Sequence, residues 1–130
     1  LTAPTATEHD EQCAFVAWFR LAYPGVLIFA IPNGAHLAGD SVRRAIKMRR
    51  LKAEGFVAGI PDLYVPAWGL WIEMKRGKGG RLSEDQAAIH ALLRAAGQSV
   101  IVAAGWDEAR AKVEASFLGV RVPAFVRGCQ

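Results

Sequence analysis

The stretch Gly59-Ile60-Pro61-Asp62-Leu63-Tyr64-Val65-Pro66-Ala67-Trp68-Gly69-Leu70-Trp71-Ile72-Glu73-Met74-Lys75 decides how this chain folds. Asp62 opens a β-prone run, Leu63 to Val65. Pro66-Ala67-Trp68-Gly69 reads as a turn, and Leu70 to Lys75 as a second strand. If the hairpin closes about Ala67 and Trp68, Val65 faces Leu70, Leu63 faces Ile72 and Asp62 faces Glu73. Side chains alternate across a strand. One face of the hairpin is then apolar, with Leu63, Val65, Leu70 and Ile72. The other carries Asp62, Tyr64, Trp71, Glu73 and Lys75.

Directly opposed residues have Cβ atoms about 5 Å apart, and like charges there destabilise a sheet. Two carboxylates so placed call for a cation, and Mg²⁺ suits one or two carboxylates together with phosphate oxygens. Lys75 follows Glu73 on the same face, roughly 6.7 Å along the strand, within reach of a water or phosphate beside such an ion. Taken alone, the Glu-x-Lys spacing favours an ordinary hairpin with a Glu and a Lys on its wet face. The rest of the chain supplies the context.

Its 130 residues suit a single domain, residues 1–130, with its own core. A content of 52% hydrophobic and 22% charged residues is that of a globular protein. No apolar run approaches the ~20 residues that span a bilayer, and the first residues lack the charged-then-apolar layout of a signal peptide. Cys13 and Cys129 lie far apart and form no metal spacing, which points to a reducing, cytoplasmic setting. The net charge of +4 makes a polyanion a reasonable partner.

Thr7 is placed to cap a helix running to about Ala22, with Glu8, Asp10 and Glu11 in its first turn, where the helix dipole favours acids. Gln12, Phe15, Val16 and Phe19 share one stripe, with Glu8 a turn above Gln12. Val26 to Ile31 reads as a central strand ended by Pro32-Asn33-Gly34, and His36 falls in the loop that follows. Asp40 or Ser41 caps the next helix, which ends at Gly55. It holds Arg43, Arg44, Lys47, Arg49, Arg50 and Lys52, six cations in fourteen residues, against the acid Glu54. Val42, Ala45, Ile46 and Ala53 form its thin apolar stripe; Arg43, Lys47 and Arg50 form a basic one. That density favours a phosphate-backbone surface over a merely solvated face.

After the hairpin, Arg76-Gly77-Lys78-Gly79-Gly80-Arg81 reads as a flexible basic loop. Ser83-Glu84-Asp85-Gln86 is a capping box, a sufficient structural reason for Gln86. The helix it opens reads as mostly buried and ends at Gly97. Ser99 to Ala104 reads as a buried strand, and a helix follows from about Glu108 to Phe117. Val120 to Val126 reads as a strand or an extended tail. A hairpin followed by a strand–helix–strand crossover implies an α/β fold, a mixed central sheet with helices on both faces.

In this order the elements resemble the PD-(D/E)XK nuclease core, with Pro61-Asp62 on one strand and Glu73-Met74-Lys75 on the next. More closely, the chain resembles the VRR-NUC branch in its small stand-alone phage and bacterial form. Glu8-His9-Asp10-Glu11-Gln12, Ile31-Pro32-Asn33-Gly34, Lys52-Ala53-Glu54-Gly55, Gly59-Ile60-Pro61-Asp62-Leu63, Ile72-Glu73-Met74-Lys75, Leu82-Ser83-Glu84-Asp85-Gln86 and Gly97 carry the likeness. It departs at Val57-Ala58-Gly59, where the family name's own triplet is Val-Arg-Arg.

The resemblance implies a nuclease using Mg²⁺ or Mn²⁺, held by Asp62, Glu73, the Met74 carbonyl and an acid of the first helix. Glu8 fits that last position by its spacing to Gln12, and Glu11 is its rival. Lys75 would position or activate water or stabilise the transition state; an unperturbed lysine is a poor base at neutral pH. Gln86 would belong to the site. Asn33, Arg43, Arg44, Lys47, Arg50, Lys78 and Arg81 are the expected DNA contacts. The resemblance further implies a homodimer that cuts branched DNA in the manner of a Holliday-junction resolvase. The alternatives are a branched-DNA binding module that does not cut, and a sequence-specific restriction-type enzyme.

Overall fold

The structure is a computed structural model that describes residues 5–32, 38–77 and 80–117. Four strands form one sheet in the order β1 (Phe29–Ala30), β2 (Leu63–Val65), β3 (Leu70–Lys75), β4 (Ser99–Ala104). The first two pairings are antiparallel and β3–β4 is parallel, so the sheet is mixed. The hairpin register is the expected one, with Leu63 opposite Ile72, Tyr64 opposite Trp71 and Val65 opposite Leu70. Its turn is a 3₁₀ helix over Pro66–Trp68, closed by Gly69 at φ 55°. Proline at the first position presets that turn, and glycine accepts the left-handed residue that ends it.

The alternation along β3 sorts two faces. Leu70, Ile72 and Met74 are buried with Leu63, Val65 and Ala103, against Phe15 and Phe19 of α1 (Glu8–Ala22) and Ala109 and Val113 of α4 (Trp106–Phe117). Trp18, Tyr23 and Trp68 extend this core in a chain of edge-on aromatic contacts, and Trp68 stacks on Phe117. The opposite face carries Glu73 and Lys75 beneath α3 (Glu84–Ala95), which crosses from β3 to β4. Helices therefore flank both faces, as expected.

Several expectations are corrected. The run 26–31 yields only the two-residue strand β1, and it lies at the sheet edge rather than the centre. Ile28 is buried but Leu27 is 61% exposed, so hydrophobicity in this run does not report a two-sided burial. β4 is the other edge, exposed at both ends, half-buried over Val100 to Val102 and buried at Ala103. α3 is mostly exposed, with His90 its one buried residue among those described and Leu92 65% exposed. Its alanines reflect helix propensity, not burial. α2 (Ser41–Ala53) has no buried residue. Val42 and Ile46 face outward, and the half-buried positions are Met48 and Leu51 in its C-terminal half. α4 begins at Trp106, two residues earlier than expected. Asn33, Gly34, His36, Lys78, Gly79 and the 118–130 segment lie outside the described residues.

Candidate active site

The polar row of the hairpin is assembled by three elements. Asp62 precedes β2, and its Oδ2 accepts the Met74 N–H at 2.7 Å, which ties it to β3 beside Glu73. The Ile31 N–H bonds to the Asp62 carbonyl at 2.8 Å, so the other side of Asp62 is held by the chain leaving β1. Glu73, 2% exposed, sits under α3. Its Oε2 accepts from Gln86 Nε2 at 3.2 Å, and His90 Nε2 lies 3.2 Å from its Oε1. Lys75 Nζ donates to Gln86 Oε1 at 2.8 Å.

Gln86 thus combines two roles that sequence reasoning sets against each other. Its Oε1 accepts the Ser83 N–H at 2.9 Å, and its own N–H bonds to Ser83 Oγ, completing the capping box. The same side chain bridges Lys75 and Glu73. The cap fixes the rotamer that reaches the sheet. Gly59 sets the approach of this helix end. It has φ +94°, and a Cβ there would lie 2.5 Å from the Asp85 carbonyl oxygen. Backbone therefore packs on backbone between the turn leading to Asp62 and the first turn of α3. This accounts for glycine within the divergent triplet.

The two rival acids of α1 part company. Glu11 Oε1 accepts the Trp106 N–H at 2.8 Å at the start of α4, a helix-capping position. Glu8 is exposed and lines a cleft of about 380 Å³ with Arg76, Gly80 and Arg81. It lies near enough to add negative potential at Glu73. A second cleft, of about 360 Å³, lies between α2 and α3 and is lined by Lys52, Phe56, Ile60, Asp62 and Gln86 among others.

Burial first, and then the adjacent Asp62 carboxylate, push the Glu73 carboxyl up to about 9. Burial, with Arg94 and Lys75 nearby, holds His90 below its ordinary range, so its ring is neutral at pH 7. A buried carboxyl beside a second carboxyl ionises readily only where a cation shares the pair. That is the electrostatic fit expected for a small divalent ion. Among the described residues, no three of His, Cys, Asp and Glu converge as a ligand cluster. Asp62 and Glu73 are the paired acids, and Glu8 stands outside the pair.

The expected DNA contacts divide. Arg44 Nη1 bonds to the Gly39 carbonyl and Lys47 Nζ to the Ala38 carbonyl, both at 2.9 Å, so these two hold the chain entering α2. Arg43 and Arg50 lie exposed on the same helix, and Arg81 lies by Glu8. Asn33 and Lys78 fall outside the described residues. Sequence reasoning missed His90. The available signal was its position four residues after Gln86, which puts both on one face of α3.

Among solved structures the chain is similar to a protein described as a VRR_NUC domain protein, with a TM-score of 0.65 and 21% identity over 86% of this chain and 88% of that one. No family model and no curated protein matches the chain. The α/β architecture built around the hairpin, a mixed four-stranded sheet with helices on both faces, is accordingly one found among known folds. More particularly, the chain shares the fold of this VRR_NUC domain.

Proposed function

We propose that the chain is a divalent-metal-dependent endodeoxyribonuclease that acts on branched DNA as a homodimer, in the manner of a Holliday-junction resolvase. The observation that carries this reading is the connected row Asp62, Glu73, Gln86 and Lys75: paired carboxylates joined through one amide to an ammonium. Asp62, Glu73 and the Met74 carbonyl would hold Mg²⁺ or Mn²⁺, with Glu8 adding negative charge from α1. When bound, the ion would acidify a water and neutralise charge on the scissile phosphate.

The protein's own groups do the positioning. Gln86 fixes the Lys75 ammonium next to Glu73, so Lys75 reaches the phosphate region without a search of its rotamers. There a fixed ammonium stabilises the extra negative charge of the transition state. Gln86 and His90 hold the Glu73 side chain in place, and ion binding would displace its proton. Arg43 and Arg50 on α2 and Arg81 beside Glu8 supply phosphate contacts that grip the strands without reading sequence.

The test is cleavage of a four-way junction in Mg²⁺ or Mn²⁺, resolved on a denaturing gel, beside linear duplex of the same sequence. Asp62→Asn, Glu73→Gln and Lys75→Ala should each abolish product while leaving junction binding largely intact. Cleavage by Asp62→Asn at the wild-type rate would overturn the site, and uncut junction in both metals would favour a binding module. Equal cutting of junctions of unrelated sequence, with linear duplex intact, excludes a restriction-type enzyme.

A further inference from the structure

His90 is buried to 1% exposure, although it belongs to a helix that is otherwise largely exposed. Its ring meets the acidic row at one atom: Nε2 lies 3.2 Å from Glu73 Oε1. The other ring nitrogen, Nδ1, is buried without a hydrogen-bond partner among the described residues. Buried polar atoms are ordinarily satisfied, and a bare one costs stability. An apolar side chain at position 90 would avoid that cost. The imidazole is therefore explained by what Nε2 does and not by how the ring packs.

Glu73 can act as a metal ligand only when ionised. A ring nitrogen 3.2 Å from an ionised carboxylate oxygen can only donate to it, so metal-bound Glu73 would require the proton on Nε2. Nε2 then donates to Oε1 while the Gln86 amide donates to Oε2. Two donors from successive turns of one helix pin both carboxylate oxygens. They fix the plane of the group and leave its remaining lone pairs for the Asp62 side of the row.

We infer that His90 is a positioning residue, whose Nε2–H orients the Glu73 carboxylate for divalent-cation binding opposite Asp62. This rests on the metal-site reading above. Hydrogen-bonding partners of ligating side chains commonly account for about 10–100-fold in metal affinity, and His90 should fall in that range.

The experiment is a titration of the full chain with Mn²⁺, without DNA, followed by electron paramagnetic resonance of the free ion. Wild type is compared with His90→Leu, His90→Gln and His90→Asn, with folding of each checked by circular dichroism. Glutamine can place its amide near the position of Nε2. The asparagine amide sits near Nδ1 and falls short of Glu73. His90→Leu and His90→Asn should weaken Mn²⁺ binding about 10-fold or more, and His90→Gln should stay within about 3-fold of wild type.

A ring that serves packing alone would move thermal stability in these variants and leave Mn²⁺ affinity unchanged; that result overturns the inference and leaves the nuclease reading intact. Equal losses in folded His90→Gln and His90→Asn also overturn it. If His90→Leu does not fold, the glutamine–asparagine contrast decides. Wild-type protein that binds no Mn²⁺ overturns the metal site and this inference together.

Discussion

At the residue scale, Gln86 serves a helix cap and the acidic row through one amide. Gln86→Glu separates the two roles. Glutamate at the third helical position preserves a capping box, so the melting temperature should hold within a few degrees. The donor facing Glu73 becomes a carboxylate, and cleavage of the junction should fall about 10-fold or more through the loss of charge-assisted positioning. Glu73 itself makes a prediction about pH. Its carboxyl is pushed up to about 9, so the folded state favours the protonated form. The stability contributed by that proton is complete below the ordinary carboxylate range and is lost as pH rises through about 9. Melting of the metal-free protein should therefore decline across the window from about pH 5 to about 9. Glu73→Gln should flatten the decline and melt about 5 °C or more above wild type at pH 8. A mutant curve parallel to wild type would show that Glu73 carries no such proton. Added Mg²⁺ should lessen the wild-type decline, because a bound cation replaces the proton.

At the element scale, the critical contact is the close passage of Gly59 over the first turn of α3. A Cβ at 2.5 Å from the Asp85 carbonyl oxygen, on a backbone at φ +94°, meets backbone that cannot swing aside. Gly59→Ala should cost about 2 kcal/mol or more, since the left-handed conformation and the overlap act together. Chemical denaturation would measure it. The same variant should lower cleavage, because the displaced helix end carries Gln86. α2 predicts a different effect. Arg44 and Lys47 are engaged by carbonyls of the preceding chain, whereas Arg43 and Arg50 are exposed. Changing Arg43 and Arg50 together to alanine should reduce the slope of log affinity against log salt by about 2, roughly one for each lost phosphate contact. An unchanged slope would remove α2 from the DNA surface. Melting should barely move, as neither side chain is buried.

At the scale of the whole molecule, one hairpin divides the protein into an apolar packing side and a polar side. Leu63, Val65, Leu70, Ile72 and Met74 face the α1–α4 layer, and Glu73 and Lys75 face α3. This arrangement lets a 130-residue chain combine a dry core with a charged row only one strand's thickness away. The proposed homodimer would present two such rows to opposed strands of a junction. Light scattering should return twice the chain mass of 14.1 kDa, and a monomer at micromolar concentration with full junction cleavage would contradict paired cutting.

The sequence by itself determined the hairpin, its register, the two-faced alternation of β3 and the helix caps at Thr7 and Ser83, and narrowed a third to Asp40 or Ser41. These are local matters: period-two patterning, turn residues and short polar side chains act within a few residues of one another. Family resemblance added separate expected roles for Asp62, Glu73 and Lys75, and brought in Gln86 and an acid of the first helix. Only the tertiary structure decided that the 26–31 and 99–104 segments are edges, since apolar runs do not state how many neighbours a strand has. Only it separated Glu8 from Glu11, because the N–H that Glu11 caps belongs to Trp106, 95 residues away. His90 became visible for the same reason. Its meaning lies in Glu73, seventeen residues earlier, and in a buried nitrogen that no sequence pattern exposes.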